Sequence, residues 1–204
     1  MFIKTLQVGP IETNCYIVAD SETKKCAIID PGEEGSYILD TMESLGLECA
    51  CVMLTHAHFD HVGAVEYILE ETGAPLYMNA KDNNALIGSG RETFSAPKGT
   101  VFYKEGDTVC VGGLTFEVLE TPGHTPGCVV LRCGEALFTG DTLFRDSCGR
   151  TDFGLSNTEQ MMESLRRIAA LEGDYEVYPG HMFSTTLERE RRYNYFMLMA
   201  MNGK

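Results

Sequence analysis

Short apolar runs separated by Gly, Pro and polar turns occur along most of the chain. Where apolar and polar residues alternate, or where a brief apolar run is bounded by turn signals, the pattern favours a β-strand. The first three runs, joined at residues 9–10 and 20–25, are typical of a β-meander. The pattern predicts strands at residues 2–8, 15–19, 26–29, 50–54, 75–78, 108–111, 114–120, 129–133, 136–139 and 176–178.

Helical spacing appears between these strands and after them. Residues 35–46 place Ile38, Leu39, Met42 and Leu45 on one face, and residues 62–71 repeat the same spacing. A polar helix is predicted from residue 79 to residue 88. Two capping boxes, at 156–159 and 185–188, predict the starts of two further helices. The first of these helices should turn inward Met162, Leu165, Ile168 and Ala169.

Strands with helices between and after them occur twice along the chain. This order predicts an α/β fold in which two packed sheets lie between outer helices, a four-layered αββα sandwich. The length of 204 residues and the absence of a linker or repeat suit one domain over residues 1–204. Residues 88–100, rich in Gly, Ser and Pro, are expected to form a mobile surface loop.

Residues 54–61, LTHAHFDH, concentrate metal-binding side chains at the end of a predicted strand. Of the five histidines in the protein, three lie here, which argues against solvated surface histidines. Alternate residues of an extended segment point the same way, so His56 and His58 can bind one ion together. Asp60 and His61, at the turn into the next helix, can face a second ion.

The remaining candidates follow later strands in Pro- and Gly-containing loops. Seven ligands are too many for one ion with an open position, so we predict two divalent ions. His56, His58 and His124 would hold the first ion, Asp60, His61 and His181 the second, and Asp141 would bridge them. Zinc is the expected metal, with iron or manganese as alternatives, because imidazole and carboxylate ligands admit all three. The residues expected to act in catalysis are Asp60, His56, His58 and His124.

Composition narrows the class of partner. A formal net charge of −14 disfavours nucleic acid, which usually binds a basic surface. No apolar run approaches a membrane span, and the first residues show no signal peptide, so we expect no membrane association and a cytoplasmic location. The eight cysteines form no CxxC pair and lie mostly in apolar runs, which predicts reduced, buried thiols.

The pattern HxHxDH at 56–61, followed by His124, Asp141 and His181, resembles the metallo-β-lactamase superfamily. Further segments are similar to its glyoxalase II-like hydrolases: 13–16 (TNCY), 29–32 (IDPG), 121–127 (TPGHTPG), 140–144 (GDTLF) and 178–181 (YPGH). The resemblance implies the metallo-β-lactamase fold and hydrolysis of a small thioester or ester, S-lactoylglutathione or a related compound, through a metal-bound hydroxide. All five histidines are then ligands, so none remains for a Ser-His or Cys-His system.

Two departures from that subgroup leave the substrate open. Full-length glyoxalase II has a C-terminal helical domain that helps to bind glutathione, and this sequence does not extend to it. Residues 148–153 (CGRTDF) are similar to a segment shared by short glyoxalase II-like hydrolases and by persulfide dioxygenases, so this motif alone does not separate the two functions. The alternative function is therefore a mononuclear-iron persulfide dioxygenase, with iron held by His56, His124 and Asp141.

Several residues have two interpretations at this stage. Arg150 and Asp152 form either a pair beside the site or a structural ion pair, and Arg145 is a nearby cation. Cys148 is expected to be a packed thiol. Asp30 either orients a ligand histidine or forms a turn. The Met-rich end (Met197, Met199, Met201) is either core or the contact of a homodimer.

Overall fold

The computed structural model describes residues 1–87 and 93–203. All ten predicted strands are present with small shifts of their ends, and four short strands were not predicted. The strands are β1 Phe2–Val8, β2 Thr13–Ala19, β3 Lys25–Ile29, β4 Glu48–Met53, β5 Leu76–Asn79, β6 Val101–Tyr103, β7 Thr108–Val111, β8 Leu114–Glu120, β9 Val129–Cys133, β10 Ala136–Gly140, β11 Leu143–Phe144, β12 Ser147–Cys148, β13 Glu176–Pro179 and β14 Thr185–Thr186.

Two mixed sheets are formed by the described strands. The first has the order β1-β2-β3-β4-β5-β6, antiparallel up to β3 and parallel from β3 onward. The second has the order β14-β13-β10-β9-β8-β7, with one parallel pair, β10 and β13. Strands β11 and β12 form a separate small hairpin.

The helices lie outside the two sheets. They are α1 Gly35–Ser44, α2 Phe59–Val62, α3 Val65–Thr72, α4 Thr158–Ala169, α5 Leu187–Tyr193 and α6 Tyr195–Met201. The apolar faces of α1 and α3 pack on the first sheet, and those of α4, α5 and α6 pack on the second. The order of layers is therefore helix, sheet, sheet, helix, and the predicted αββα sandwich is confirmed.

Strand β2 contributes alternate residues to two apolar layers. All seven of its residues are buried, because one face packs against helices and the other against the second sheet. Ile17 belongs to the layer under α1 and α3, whereas Tyr16 and Val18 belong to the layer between the sheets. The Tyr16 and Phe138 rings meet edge to face at 5.3 Å across that layer.

Several helix predictions need correction. The polar helix expected at 79–88 is only a single 3-10 turn at Ala80–Asp82, and residue 88 lies outside the described residues. The helix expected at 62–71 is two helices, α2 and α3, interrupted at residues 63–64. Residues 88–92 of the predicted surface loop also lie outside the described part of the chain.

The capping boxes are each displaced by one residue. Asn157, not Ser156, caps α4 by accepting from the Gln160 N–H, and Thr186, not Thr185, caps α5. The C-terminal helix is broken at Asn194, whose side chain caps α6. Within α4, Met161 is fully buried. Met162, which was predicted to face inward, is only partly buried against the same cluster.

The cysteine prediction is confirmed. All eight thiols are free, and six of them are buried, whereas Cys110 is exposed and Cys148 is partly exposed. No helix in the described ranges combines the length and the apolar character needed to cross a bilayer.

Candidate metal centre

The structure brings all seven predicted ligands together at one edge of the sandwich. Residues 56–61 come after strand β4 and include the start of helix α2. His124, Asp141 and His181 come after strands β8, β10 and β13. The parallel neighbours β10 and β13 end at the same edge, which places Asp141 beside His181. Four of the ligands are close in sequence, and the order of the strands brings the other three to them.

The first group consists of His56, His58 and His124. One ring nitrogen of each lies within 4.8 Å of the others, close enough for a single ion between them. Their ring centroids are 4.5 to 5.1 Å apart, and the rings stand nearly perpendicular to one another. Imidazoles in this arrangement converge on one point instead of stacking.

The second group consists of Asp60, His61 and His181. Asp60 Oδ2 lies 3.2 Å from Nε2 of His61 and 3.2 Å from Nε2 of His181. Asp60 Oδ2 also accepts a hydrogen bond from the Thr13 hydroxyl at 3.0 Å. The neighbouring Asn14 holds the loop of His181 by donating its side-chain amide to the carbonyls of Pro179 and Met182.

Asp141 lies between the two groups. Its Oδ2 is 3.3 Å from His124 Nε2, and its Oδ1 is 3.5 Å from His61 Nε2. Gly180 permits this approach, because a Cβ at that position would collide with Asp141 Oδ1. The position of Asp141 is the one that the predicted bridging role requires.

Asp30 orients two of the imidazoles from behind. It accepts a hydrogen bond from His61 Nδ1–H at 3.0 Å and two from Thr55, one from its N–H and one from its hydroxyl. Since the Thr55 hydroxyl donates to Asp30, its oxygen accepts from Nδ1 of His56 at 3.2 Å. Asp30 also lies near enough to His56 and His61 to form a third group with them, but its oxygens already accept these hydrogen bonds. We therefore assign Asp30 an orienting role, and the turn-only interpretation is insufficient.

Backbone carbonyls orient the other two rings of the first group. His124 Nδ1–H donates to the carbonyl of Arg150 at 2.8 Å, so its Nε2 faces the centre. His58 is reversed: its Nε2–H donates to the carbonyl of Ile87 at 2.9 Å, which leaves Nδ1 free to face the centre. A carbonyl can only accept, and these contacts therefore set the tautomer of each ring.

Polar atoms without partners show that the centre fits cations. Among the described residues, the buried side-chain atoms that lack a hydrogen bond are His56 Nε2, His61 Nε2, His124 Nε2 and Asp141 Oδ1. An unsatisfied buried polar atom costs free energy, and a folded protein has few of them. All four belong to the predicted ligands, and divalent cations would satisfy all four.

Protonation states agree with this fit. Burial lowers the pKa of His56 well below its ordinary value and lowers that of His58 to about 4, so both are neutral at neutral pH. Burial opposes ionisation of Asp60 and Asp141, but the neighbouring imidazoles outweigh burial and hold both carboxyl pKa values far below the usual range. Neutral imidazoles and ionised carboxylates are the forms that bind metal ions.

The pKa values of the histidines in the second group are shifted in the opposite direction, upward. Burial lowers the pKa of His61, but Asp141 and Asp30 outweigh burial and raise it well above the ordinary value. Burial lowers the pKa of His181, but the hydrogen bond to Asp60 and the charges of Asp141 and Asp60 together outweigh burial and raise it. A metal ion at the second group therefore has to displace protons when it binds.

Three residues near the ligands in sequence, Arg150, Asp152 and Cys148, lie beside the centre and not within it. Arg150 and Asp152 form an exposed ion pair, with Nε and Oδ1 2.9 Å apart, and the guanidinium lies over the Phe153 ring. That ring in turn lies 5.4 Å from the rings of His58 and His124. Burial raises the pKa of the Cys148 thiol to about 11, which is the behaviour of a packed thiol and not of a nucleophile.

Sequence reasoning missed several contributors to the centre. Thr13 and Thr55 lie in segments that the motifs already included. Their hydroxyls could therefore have been predicted as hydrogen-bond partners of the ligands. No sequence pattern indicates that the backbone carbonyls of Ile87 and Arg150 act as acceptors, because every residue has a carbonyl. Asp82, a buried carboxylate that contacts two of the ligand loops, was not singled out either.

Comparison with known proteins agrees with the fold. The sequence profile of the metallo-beta-lactamase superfamily matches residues 8–181. The chain is 34% identical over 209 residues to the hydroxyacylglutathione hydrolase GloC of Haemophilus influenzae, an alignment that covers 97% of this chain and 98% of the relative.

Three solved structures are similar over nearly the whole chain. The B3 metallo-beta-lactamase BLEG-1 has a TM-score of 0.88 and 31% identity and covers 96% of this chain and 99% of its own. ETHE1 from Myxococcus xanthus has a TM-score of 0.85 and 30% identity, with 100% and 92% covered. TTHA1623 in a di-iron-bound form has a TM-score of 0.82 and 36% identity, with 96% and 100% covered. Since the profile spans most of the sequence and the folds coincide, the chain belongs to the metallo-β-lactamase superfamily.

Proposed function

We propose that this protein is a dinuclear metal-dependent hydrolase of the glyoxalase II-like type, acting on small thioesters or related esters. The observation that carries the proposal is the pair of ligand groups with Asp141 between them. The proposal includes a single domain, a cytoplasmic location and a small-molecule substrate, without nucleic acid or membrane partners. The name and coverage of GloC support the choice of thioester.

The residues would divide the work as follows. His56, His58 and His124 would hold one ion, and Asp60, His61 and His181 the other. Two bound divalent ions supply a nucleophilic water at neutral pH and polarise a carbonyl oxygen. Asp30 and Thr55 hold the imidazoles of His61 and His56 in the tautomers that expose Nε2. With all five histidines at the centre, none is left as a general acid, and a thiolate is a leaving group that needs little protonation.

Zinc remains our expected metal, with iron and manganese as alternatives. The donor set of imidazole nitrogens and carboxylate oxygens admits all three ions. TTHA1623, at 36% identity, is described in a di-iron-bound form, which supports iron as the first alternative.

A second candidate function is that of a mononuclear-iron persulfide dioxygenase. The similarity to ETHE1 over the whole chain favours it, and the segment 148–153 is compatible with either function. In that case His56, His124 and Asp141 would hold a single iron. The second group would then have no metal-binding role, although the geometry of Asp60, His61 and His181 is equally suited to an ion.

The two functions differ in metal content and in co-substrate. We expect protein purified without added metal to contain two divalent ions per chain, to hydrolyse a thioester and to consume no oxygen with glutathione persulfide. The measurements are metal analysis, thiol release and oxygen uptake on the same preparation, with a β-lactam as a third substrate because of the similarity to BLEG-1. One iron per chain with oxygen uptake would establish the alternative.

The surroundings of the centre predict weak discrimination in favour of glutathione. The glutathione part of S-lactoylglutathione carries two carboxylates, but the guanidinium groups that lie near the ligands in sequence have acidic partners: Arg150 pairs with Asp152, and Arg145 lies 3.9 Å from Asp146. Next to the ligands in sequence lie exposed apolar side chains, Phe59 (56% exposed) and Phe183 (74% exposed). These features suit an uncharged substrate better than an anionic peptide.

We therefore expect S-lactoylglutathione to exceed a small thioester without the peptide by less than about a hundredfold in kcat/KM, which is about 2.7 kcal/mol. The measurement is kcat/KM for both substrates at two ionic strengths, because recognition of carboxylates by cations weakens as salt rises. A preference of a hundredfold or more that falls with salt would show that cations do recognise the peptide.

A further inference from the structure

Asp82 is a buried carboxylate outside the seven predicted ligands. It is 1% exposed and ends the 3-10 turn Ala80–Asp82, which follows β5. Its Oδ2 accepts hydrogen bonds from the Ala57 N–H at 3.1 Å and from the Thr125 hydroxyl at 2.7 Å. Its Oδ1 accepts from the Gly127 N–H at 2.7 Å. Both carboxylate oxygens are thus engaged by donors.

These donors belong to the two loops that supply the first group. Ala57 lies between His56 and His58, and Thr125 directly follows His124. One carboxylate therefore joins two loops that are about seventy residues apart in sequence. Gly127 permits the junction, because a Cβ there would press against the Asp82 carboxyl group.

The segment after Asp82 adds a third connection. Five residues later, the Ile87 carbonyl accepts from Nε2–H of His58 and fixes the direction of that ring. A shift of the turn at 80–82 would consequently move both the backbone between His56 and His58 and the acceptor that orients His58.

Asp82 occupies a position on the first group that parallels the position of Asp30 on the second. Asp30 accepts from Thr55 and from His61 Nδ1–H, and Asp82 accepts from Ala57 and Thr125. Among the described ion pairs, Asp82 has no Lys or Arg partner. Its oxygens are instead engaged by hydrogen-bond donors of the two loops that carry the ligands.

We propose that Asp82 is a positioning residue for the first metal position, and that it sets the spacing between the His56–His58 loop and His124. The inference rests on the proposed metal centre. It assigns Asp82 no contact with substrate or with the reacting atoms.

The test replaces Asp82 by asparagine, which keeps the size of the side chain. An amide has a single oxygen, so its NH2 group must face either the Gly127 N–H or the Ala57 and Thr125 donors, and at least one hydrogen bond is lost. The matched control is Asp20→Asn. Asp20 also accepts several hydrogen bonds, from Thr23 and Gly113 among others, but it lies in the turn after β2.

The measurement is a competition titration of the metal-free protein with Zn²⁺ against a chelator, which resolves the two affinities, together with thermal unfolding of the metal-free form. We expect Asp82→Asn to weaken one Zn²⁺ affinity by about 10- to 100-fold, the usual effect of losing an outer partner, and to leave the other unchanged. Asp20→Asn should lower the unfolding temperature and leave both affinities unchanged.

Thr125→Val provides a second variant that removes a single donor and keeps the volume. It should weaken the same Zn²⁺ affinity by a smaller factor, and it tests the inference even if Asp82→Asn does not fold. Unchanged affinities in Asp82→Asn or Thr125→Val, or an equal loss in Asp20→Asn, would overturn the positioning role. Wild-type protein that binds none of Zn²⁺, Fe²⁺ and Mn²⁺ in the same titration would instead refute the proposed function on which the inference rests.

Discussion

Replacing Asp141 by alanine is expected to lower metal occupancy at both positions, not at one. The Asp141 carboxylate approaches His124 of the first group at 3.3 Å and His61 of the second at 3.5 Å. A carboxylate in that place would serve both ions and would offset part of their mutual repulsion. Loss of the shared ligand therefore affects both ions.

The rate should fall with the occupancy. Bound metal contributes several kcal/mol of charge stabilisation in a hydrolytic transition state, and a loss of ~4 kcal/mol is about a thousandfold in rate. The measurements are metal content per chain after dialysis and kcat/KM for a thioester. The folded state is checked by thermal unfolding of the metal-free protein, which should remain cooperative, because Asp141 Oδ1 has no hydrogen bond to lose.

Asp152→Ala is the matched control for Asp141→Ala. Asp152 is also an acidic residue near the centre, but its carboxylate is exposed and pairs with Arg150. This variant should keep both ions. If Asp141→Ala retains two tightly held ions after the same dialysis, Asp141 does not bridge the two positions.

The layers of the fold could be predicted because both faces of the central strands are apolar. In β2, Cys15 to Ala19 form a continuous apolar run and not an alternation, and all five residues are buried. Such a run predicts a strand between two covered faces, and helices must then lie outside. The ligands could be predicted to lie at one edge of the sandwich because each of them lies in a loop that follows a predicted strand.

The failures concern local structure that distant residues determine. The polar stretch after β5 has helical composition, but Asp82 is held by donors from residues 57, 125 and 127, and the chain makes a single 3-10 turn there. The C-terminal helix is broken because Asn194 donates its amide to the carbonyls of Phe144 and Ser147. Neither interaction can be inferred from periodicity, because the partners are far away in sequence.

The orientation of the imidazole rings could not be predicted from the sequence either. The motif HxHxDH predicts which side chains converge, but not which nitrogen faces the centre. His58 points Nδ1 inward, whereas His124 points Nε2 inward, and the difference follows from the carbonyls of Ile87 and Arg150. A backbone acceptor is available at every position, so only the folded chain determines which one is used.

The division of ligands predicts opposite results for variants of the two groups. In His181→Ala, and likewise in His61→Ala, we expect one ion to be lost, while His56, His58 and His124 retain the other. His58→Ala should empty the first position and leave the second. His181 is the cleaner test, because it is partly exposed and its ring contacts Asp60 and Asp141 across the centre.

These variants separate the two candidate functions, because a dioxygenase would hold its single iron with His56, His124 and Asp141. In that case His181→Ala would keep its full metal content. For the dinuclear centre it should drop from two ions to one and lose at least about 100-fold in kcat/KM, because loss of a mere outer partner already costs 10- to 100-fold. Metal analysis, with anomalous diffraction to locate the remaining ion, decides the matter. An ion that remains between Asp60 and His61, while the position of His56, His58 and His124 is empty, would reverse the assignment of ligands that the geometry supports.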